Sequence, residues 1–167
     1  MQTTLSLLIF CQMLGTFVGA FTAIWSQVAY IRAMQDGTID AAEQAHLRVI
    51  REGLRFGMTL ILISSLGLVI VEYVLHASYQ PAVTTNYWIS IVLSLLIIGF
   101  SWAVSRHRVS FKFSSAAIFT AWWFLAYLTI GWLPTITFGA AIAFYVVATA
   151  IFYAVLTSVH FFALHKD

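Results

Sequence analysis

The stretch RFGMTLILISSLGLVIVEYVLH, residues 55–76, decides the class of fold, because it is apolar over a length that crosses a membrane. At about 1.5 Å per residue, a helix of this length spans the roughly 30 Å of hydrocarbon in a bilayer. Lipid offers no hydrogen bonds to an open backbone, so a single spanning segment must be helical. Residues 55–76 are therefore predicted to form a transmembrane helix.

Four further apolar runs have the same character, and together they occupy most of the 167-residue chain. Hydrophobic residues make up 62% of the chain and charged residues 8%, against about 25% charged residues in soluble domains. This surplus of apolar side chains excludes a water-soluble fold. We predict an all-α bundle of five transmembrane helices that forms one membrane domain over residues 1–167. The predicted spans are about 5–30, 55–76, 87–105, 114–132 and 136–162.

The basic residues all fall on one side of this predicted membrane map. The chain has 8 lysines and arginines: Arg32, Arg48, Arg51 and Arg55 after the first span, Arg106, Arg108 and Lys112 after the third, and Lys166 after the fifth. Because lysine and arginine concentrate in cytoplasmic loops, we predict an amino terminus outside the cell and a carboxyl terminus in the cytoplasm.

Residues 40–54, between the first two spans, are predicted to form a cytoplasmic amphipathic segment. Asp40 is the predicted N-cap, with Glu43 as its capping-box partner three residues later. Leu47 and Ile50 belong to an apolar stripe on one side of this segment. Two alternatives stay open, a separate helix on the membrane surface or an extension of the second span, and a break at Gly53 would distinguish them.

Small residues recur at helical spacing, and this pattern predicts close contact between helices. The predicted packing positions are Gly15 and Gly19 in the first span and Gly139 and Ala143 in the fifth. Such faces serve packing inside the bundle, a contact with a second copy, or docking to a partner in a membrane complex. The serines of the third span are expected to bond to their own helix backbone instead.

Glu72 is the only acidic residue inside a predicted span. A charge costs about 3 kcal/mol at the middle of a bilayer and less near its surface, so an intramembrane acid is a candidate functional group. Protonation, pairing with His76 one turn later, or a position facing the bundle interior would lower this cost. Together with Ser65 on the same helical face, Glu72 and His76 define a candidate cation or proton site of a small transporter or channel.

Two histidines offer a different site. His107 follows the third span and His160 lies near the end of the fifth, at similar predicted depth. Histidines on facing helices are the ligand pair of haem b, so a haem- or quinone-binding redox protein is a second alternative. The competing interpretation is contact with lipid headgroups, and the sequence indicates no other cofactor.

The signatures of enzymes are missing from this sequence. No span combines a serine or cysteine with a histidine and an acid, and neither a glycine-rich phosphate loop nor HExxH occurs. We therefore predict no catalytic residue and no metal site. The leading interpretation is a non-enzymatic accessory protein or complex subunit. Its expected partners are the lipid bilayer and a second copy or a membrane-complex partner, and not nucleic acid.

Three stretches, GTFVGAF (15–21), DGTIDAAE (36–43) and LISSLGLVI (62–70), resemble a widespread type of small, uncharacterised bacterial inner-membrane protein. The resemblance covers residues 5 to about 70. It implies a bacterial inner-membrane location and packing or capping roles for these stretches, but no activity. Some similar proteins carry a histidine early in the first span, where residues 7–12 contain none. This departure counts against a haem site.

Overall fold

The computed structural model describes residues 2–35, 41–75, 83–106, 108–131 and 136–164. Side chains are described within 3–29, 51–75, 83–104, 106, 108–110, 112–131 and 136–159. The described chain forms five helices: α1 Gln2–Gln35, α2 Ala41–Val74, α3 Thr85–Ser105, α4 Phe111–Ile130 and α5 Phe138–Leu164. No β-strand occurs in these ranges. The all-helical class predicted from the sequence is confirmed.

Each of the five helices contains a segment long and apolar enough to cross a membrane. These segments are Thr3–Ala29, Arg51–Val74, Thr85–Val104, Lys112–Ile130 and Phe138–Val159. Every apolar run singled out in the sequence thus corresponds to one helix. This is the architecture of a multi-pass membrane protein.

Local side-chain chemistry sets two helix ends that hydropathy alone places differently. The hydroxyl of Thr84 accepts a hydrogen bond from the backbone N–H of Tyr87 at 3.3 Å, so α3 begins at Thr85. At the carboxyl-terminal end of α4, Gly131 adopts a left-handed conformation with φ of 73°. A side chain would strain this conformation. Gly131 therefore ends α4 at Ile130, two residues before the end of the predicted span.

Helix α2 runs without a break from Ala41 to Val74, so residues 41–54 belong to the helix that contains the second span. Gly53 does not interrupt the helix. A Cβ atom at Gly53 would lie 3.0 Å from the side chain of Thr22, so this glycine serves the close approach of α1. The predicted cap Asp40 lies outside the described residues.

Helix α4 is the central helix of the bundle and α5 is peripheral. The antiparallel pair α1 and α2 packs along its length, and α4 contacts α1, α3 and α5. Half of the membrane segment of α4 is buried (50%), against 11% of the segment in α5. Trp122, Phe124 and Leu125 of α4 are among the most deeply buried large side chains. The described core therefore lies around α4.

One face of α5 attaches this helix to α4. The rings of Phe119 and Phe152 stack with centroids 4.1 Å apart and planes 4° apart. The hydroxyl of Tyr145 donates a hydrogen bond to the carbonyl oxygen of Ala117 at 3.1 Å. A stacked aromatic pair is worth about 0.5–1.5 kcal/mol beyond its buried area. These contacts leave the opposite face of α5 without a described neighbouring helix.

One end of the bundle collects basic side chains, and we call it the basic end. The start of α4 lies beside the second half of α1, because Gln27 bonds to Ser115. The end of α3 meets the start of α4 through the edge-to-face pair Phe100 and Phe113, with ring centroids 5.9 Å apart. The start of α2 joins them through the contact of Gly53 with α1. The basic end carries Arg51, Arg55, Arg106, Arg108 and Lys112.

Candidate functional site

A row of polar and small residues on one side of α1 forms the most extensive described set of polar contacts between helices. We call Gln12, Thr16, Gly19, Ala23 and Gln27 the polar face of α1. These residues follow one another at steps of three or four positions, so they share one side of the helix. Thr16 and Gln27 are both buried. The polar face therefore contacts protein rather than lipid.

The first half of the polar face joins α1 to two other helices. The amide Nε2 of Gln12 donates a hydrogen bond to Ser65 Oγ of α2 at 3.2 Å. The hydroxyl oxygens of Thr16 and Thr129 in α4 lie 3.3 Å apart, within hydrogen-bond distance. Hydrogen bonds between membrane helices contribute on average about 0.6 kcal/mol each. Their main effect here is to fix the register of α1 against α2 and α4.

The second half of the polar face makes one further contact toward the basic end. Gln27 Nε2 donates a hydrogen bond to Ser115 Oγ of α4 at 2.5 Å. The other amide atom, Gln27 Oε1, is buried and accepts no hydrogen bond from a described group. An unsatisfied buried acceptor costs about 1–3 kcal/mol. The second half of the polar face therefore makes fewer hydrogen bonds to other helices than the first half, which contains Gln12 and Thr16.

An indole ring separates the two polar halves. Trp122 of α4 is fully enclosed, with an exposed fraction of 0%. Its six-membered ring lies on Gly19, where a Cβ atom would come within 2.0 Å of Trp122 Cζ3. The neighbouring Ala20 and Ala23 are also buried. In this conformation, the polar face of α1 is closed in its middle by apolar packing.

Two of the three residues of the predicted cation or proton site, Ser65 and Glu72, lie along the last turns of α2. Ser65 is buried and accepts the hydrogen bond from Gln12. Glu72 is half-buried and lies about 10 Å farther along the helix axis, at about 1.5 Å per residue. His76 lies outside the described residues. The structure thus places Ser65 and Glu72 on one helical face two turns apart, and the pairing of Glu72 with His76 stays a prediction.

The predicted haem ligands are not placed by the described side chains. His107 lies outside the described residues, and His160 belongs to α5 but its side chain is not among those described. The haem hypothesis therefore stays a prediction. Among the described residues, no group of three or more histidine, cysteine, aspartate or glutamate side chains is close enough to hold a metal ion.

The four predicted packing positions divide between the inside and the surface of the bundle. Gly15 and Gly19 of α1 make close contacts with neighbouring helices, and a Cβ at Gly15 would lie 2.8 Å from the carbonyl oxygen of Gly57. Gly139 and Ala143 of α5 are exposed, and a Cβ at Gly139 would meet no atom within 4 Å. The stripe on α5 thus has no described packing partner within the chain.

Sequence reasoning identified Gly19 as a packing position but missed the hydrogen-bonding side chains of the polar face of α1, because it looked for chemistry only among charged and titratable residues and their neighbours. A signal was present in the spacing of Gln12, Thr16 and Gln27, which places three hydrogen-bonding side chains on one side of an otherwise apolar helix. The partner residues Ser115 and Thr129 carry no such signal. Comparisons with family models, curated proteins and solved structures give no match.

Proposed function

We propose that the protein is a non-enzymatic accessory protein or subunit of a membrane complex. A transmembrane helix of the partner, or of a second copy, docks on the outer face of α5. This face consists of Gly139, Ala143, Ala150 and Ala154, all exposed. The position of this face supports the proposal. It lies opposite the face of α5 that packs on α4, so no described helix of the chain covers it.

The two small-residue stripes of the chain have different surroundings. In α1, Gly15 and Gly19 allow the backbone of α2 and the ring of Trp122 to approach closely. In α5, the same kind of residue faces away from the other described helices. Small residues are enriched at interfaces between membrane helices, because they allow the two backbones to approach closely. If a partner helix packed on α5, the small residues of this stripe would allow a close approach of the two backbones, as Gly15 and Gly19 do in α1.

Larger side chains border the outer face of α5. Val146 lies on one flank, and Val147 and Ile151 lie on the other, and all three are exposed. The outer face is therefore a shallow groove between apolar ridges. Helices pack by fitting the ridge of one into the groove of another, so this shape suits a partner helix with a row of larger apolar residues.

The proposed location is the bacterial inner membrane, with the amino terminus outside and the carboxyl terminus in the cytoplasm. The bacterial inner-membrane location rests on the resemblance of residues 5 to about 70. The orientation rests on the tendency of basic residues to remain cytoplasmic, since the basic end carries Arg51, Arg55, Arg106, Arg108 and Lys112. In this orientation, the outer face of α5 lies within the hydrocarbon layer, accessible only to lipid or to another membrane protein.

Ala150→Leu tests the docking proposal. Leucine fills the groove of α5, and overpacking of a close interface costs about 1–3 kcal/mol. We expect at least about a tenfold loss of the partner that co-purifies with the wild-type protein in mild detergent. Quantitative mass spectrometry measures the amount of a different protein that co-purifies. The mass of the detergent-solubilised complex shows whether a second copy of the chain is bound.

Ile151→Leu is the matched control, because Ile151 is the next residue along α5 and lies on the flank outside the groove. It introduces the same side chain at the same depth, and we expect the partner to stay at its wild-type ratio. Full retention of the partner by the Ala150→Leu protein contradicts the proposal. A wild-type preparation that contains one copy of the chain and no other protein contradicts it as well.

A small transporter or channel is the second candidate function. Glu72 favours it, because this half-buried acid lies on α2 in line with Ser65 and its hydrogen bond from Gln12. We expect Glu72→Gln to abolish a pH- or cation-dependent flux into liposomes that contain the purified protein. Glu52→Gln is the control, since Glu52 is exposed on the same helix at the basic end. Unchanged flux in the Glu72→Gln protein would dismiss Glu72 as the transport site.

A further inference from the structure

The connection between α3 and α4 concentrates positive charge around one tryptophan ring. The guanidinium carbon of Arg106 lies 5.5 Å from the centroid of the Trp102 ring, and that of Arg108 lies 5.4 Å from it. The backbone N–H groups of Arg106 and Arg108 donate hydrogen bonds to the carbonyl oxygens of Trp102 at 3.2 Å and Ala103 at 3.0 Å, which hold both residues at the end of α3. Lys112 follows in the first turn of α4. Three cationic groups thus lie within seven consecutive residues.

Among the side chains that the structure describes, no acid neutralises this charge. Residues 73–166 contain neither aspartate nor glutamate, so α3, α4 and α5 provide no carboxylate at all. At the basic end, Glu52 of α2 is the only acid whose side chain is described, and it forms no described ion pair with Arg106 or Arg108. Two like charges held at one ring repel each other. A bound anion would replace this repulsion with charge-assisted hydrogen bonds.

An exposed apolar stripe leads from the membrane interior to the two arginines. Leu95, Ile98 and Trp102 are 59%, 43% and 51% exposed, and their spacing places them on one side of α3. The membrane segment of α3 ends at Val104 and that of α4 begins at Lys112. Arg106 and Arg108 therefore lie just beyond the hydrocarbon layer, at the depth of lipid headgroups.

We propose that Arg106 and Arg108 bind the phosphate of an anionic phospholipid, whose acyl chain lies along Leu95, Ile98 and Trp102. The planar guanidinium group suits phosphate because it donates two parallel hydrogen bonds. Because the two guanidinium carbons lie 5.5 Å and 5.4 Å from the same ring centroid, they are at most 10.9 Å apart. Both side chains are exposed, so rotation about their bonds can bring the two groups to one phosphate. The apolar stripe selects a lipid over a soluble phosphate, because a soluble ion gains nothing from it.

The experiment measures the binding of phosphatidylglycerol to the purified, membrane-inserted chain in phosphatidylcholine nanodiscs, with native mass spectrometry to count retained lipid. We expect the double variant Arg106→Gln/Arg108→Gln to bind phosphatidylglycerol about thirtyfold more weakly than the wild-type protein. The matched control is Arg51→Gln/Arg55→Gln, which removes the same charge from exposed positions at the same end of the bundle. Its affinity should stay within about threefold of the wild-type value.

The variant Arg106→Lys/Arg108→Lys keeps the positive charge, and with it the orientation and folding of the chain. We expect it to lose about tenfold in affinity, because the ammonium group lacks the planar pair of donors. Equal losses in the two glutamine pairs would overturn the proposal, since they indicate general attraction to a negative surface. Wild-type affinity in the lysine pair would also overturn it. Displacement of the lipid by inorganic phosphate at constant ionic strength would assign a soluble anion instead.

Discussion

Replacing Gly19 by alanine is expected to destabilise the bundle by about 3 kcal/mol, the upper part of the range for overpacked cores. The new Cβ atom would lie 2.0 Å from Cζ3 of Trp122 and 2.3 Å from two more atoms of the same ring. Carbon atoms in contact are about 3.5–4.0 Å apart. The rigid ring is fully enclosed, so it has no nearby free volume into which to move.

Thermal unfolding of the purified protein in mild detergent measures this effect. Gly99→Ala is the control, because Gly99 lies in the interior of α3 and the same methyl group there would meet no atom within 4 Å. Alanine is favoured over glycine by about 1 kcal/mol in a helix interior, so this control should be as stable as the wild-type protein or slightly more stable. Adding Trp122→Leu to Gly19→Ala should recover part of the lost stability. Equal stability of the Gly19→Ala and Gly99→Ala proteins would contradict the described contact between α1 and α4.

The class of fold could be predicted from the sequence because hydropathy and length are properties of each segment alone. Residues 55–76 show this, since a run of that length and apolarity must form a helix across the bilayer whatever packs against it. The ends of the helices could be predicted less well. Thr84 and Gly131 end their helices through a cap and a left-handed residue, and both effects depend on backbone geometry that hydropathy does not report.

The arrangement of the helices could not be predicted, because each helix is apolar on nearly all sides. In a soluble protein, a polar face indicates which side of a helix is exposed, but in a membrane both lipid and protein accept apolar residues. Gly19 and Gly139 illustrate the result. Both belong to small-residue stripes in the sequence, yet Gly19 lies under an indole ring and Gly139 is on the surface. Only the position of the neighbouring helices separates packing inside the chain from a face open to a partner.

The candidate site shows the same division between local and non-local information. Glu72 could be singled out because a carboxylate in an apolar segment is costly by itself. Gln12 and Gln27 are neutral amides, and their importance comes from Ser65 and Ser115 on other helices. Those contacts join residues 53 and 88 positions apart in the sequence, a separation that no local pattern reveals. Apart from Ser65, the residues with the clearest sequence signal are therefore not those that make the described hydrogen bonds between helices.

Gly57→Ala is expected to destabilise the pair formed by α1 and α2 by about 2–3 kcal/mol. A Cβ atom at Gly57 would lie 2.7 Å from the carbonyl oxygen of Gly15 and 3.1 Å from the backbone nitrogen of Gly19. The contact is reciprocal, since a Cβ at Gly15 would lie 2.8 Å from the carbonyl oxygen of Gly57. The opposing atoms belong to backbone, so no side-chain rotation relieves the clash and the helices must separate.

Gly67→Ala is the matched control on the same helix, because its new methyl group meets a side-chain atom rather than backbone. That atom is Cδ2 of Leu8, at 2.9 Å, the far end of a flexible side chain. Rotation of Leu8 costs about 0.5–1.5 kcal/mol at most, and alanine gains about 1 kcal/mol in helix propensity. Gly67→Ala should therefore change the free energy of unfolding by less than about 1 kcal/mol, measured by denaturant titration in detergent micelles alongside Gly57→Ala. If the two variants unfold at the same denaturant concentration, backbone contact at Gly15 and Gly57 does not set the distance between α1 and α2.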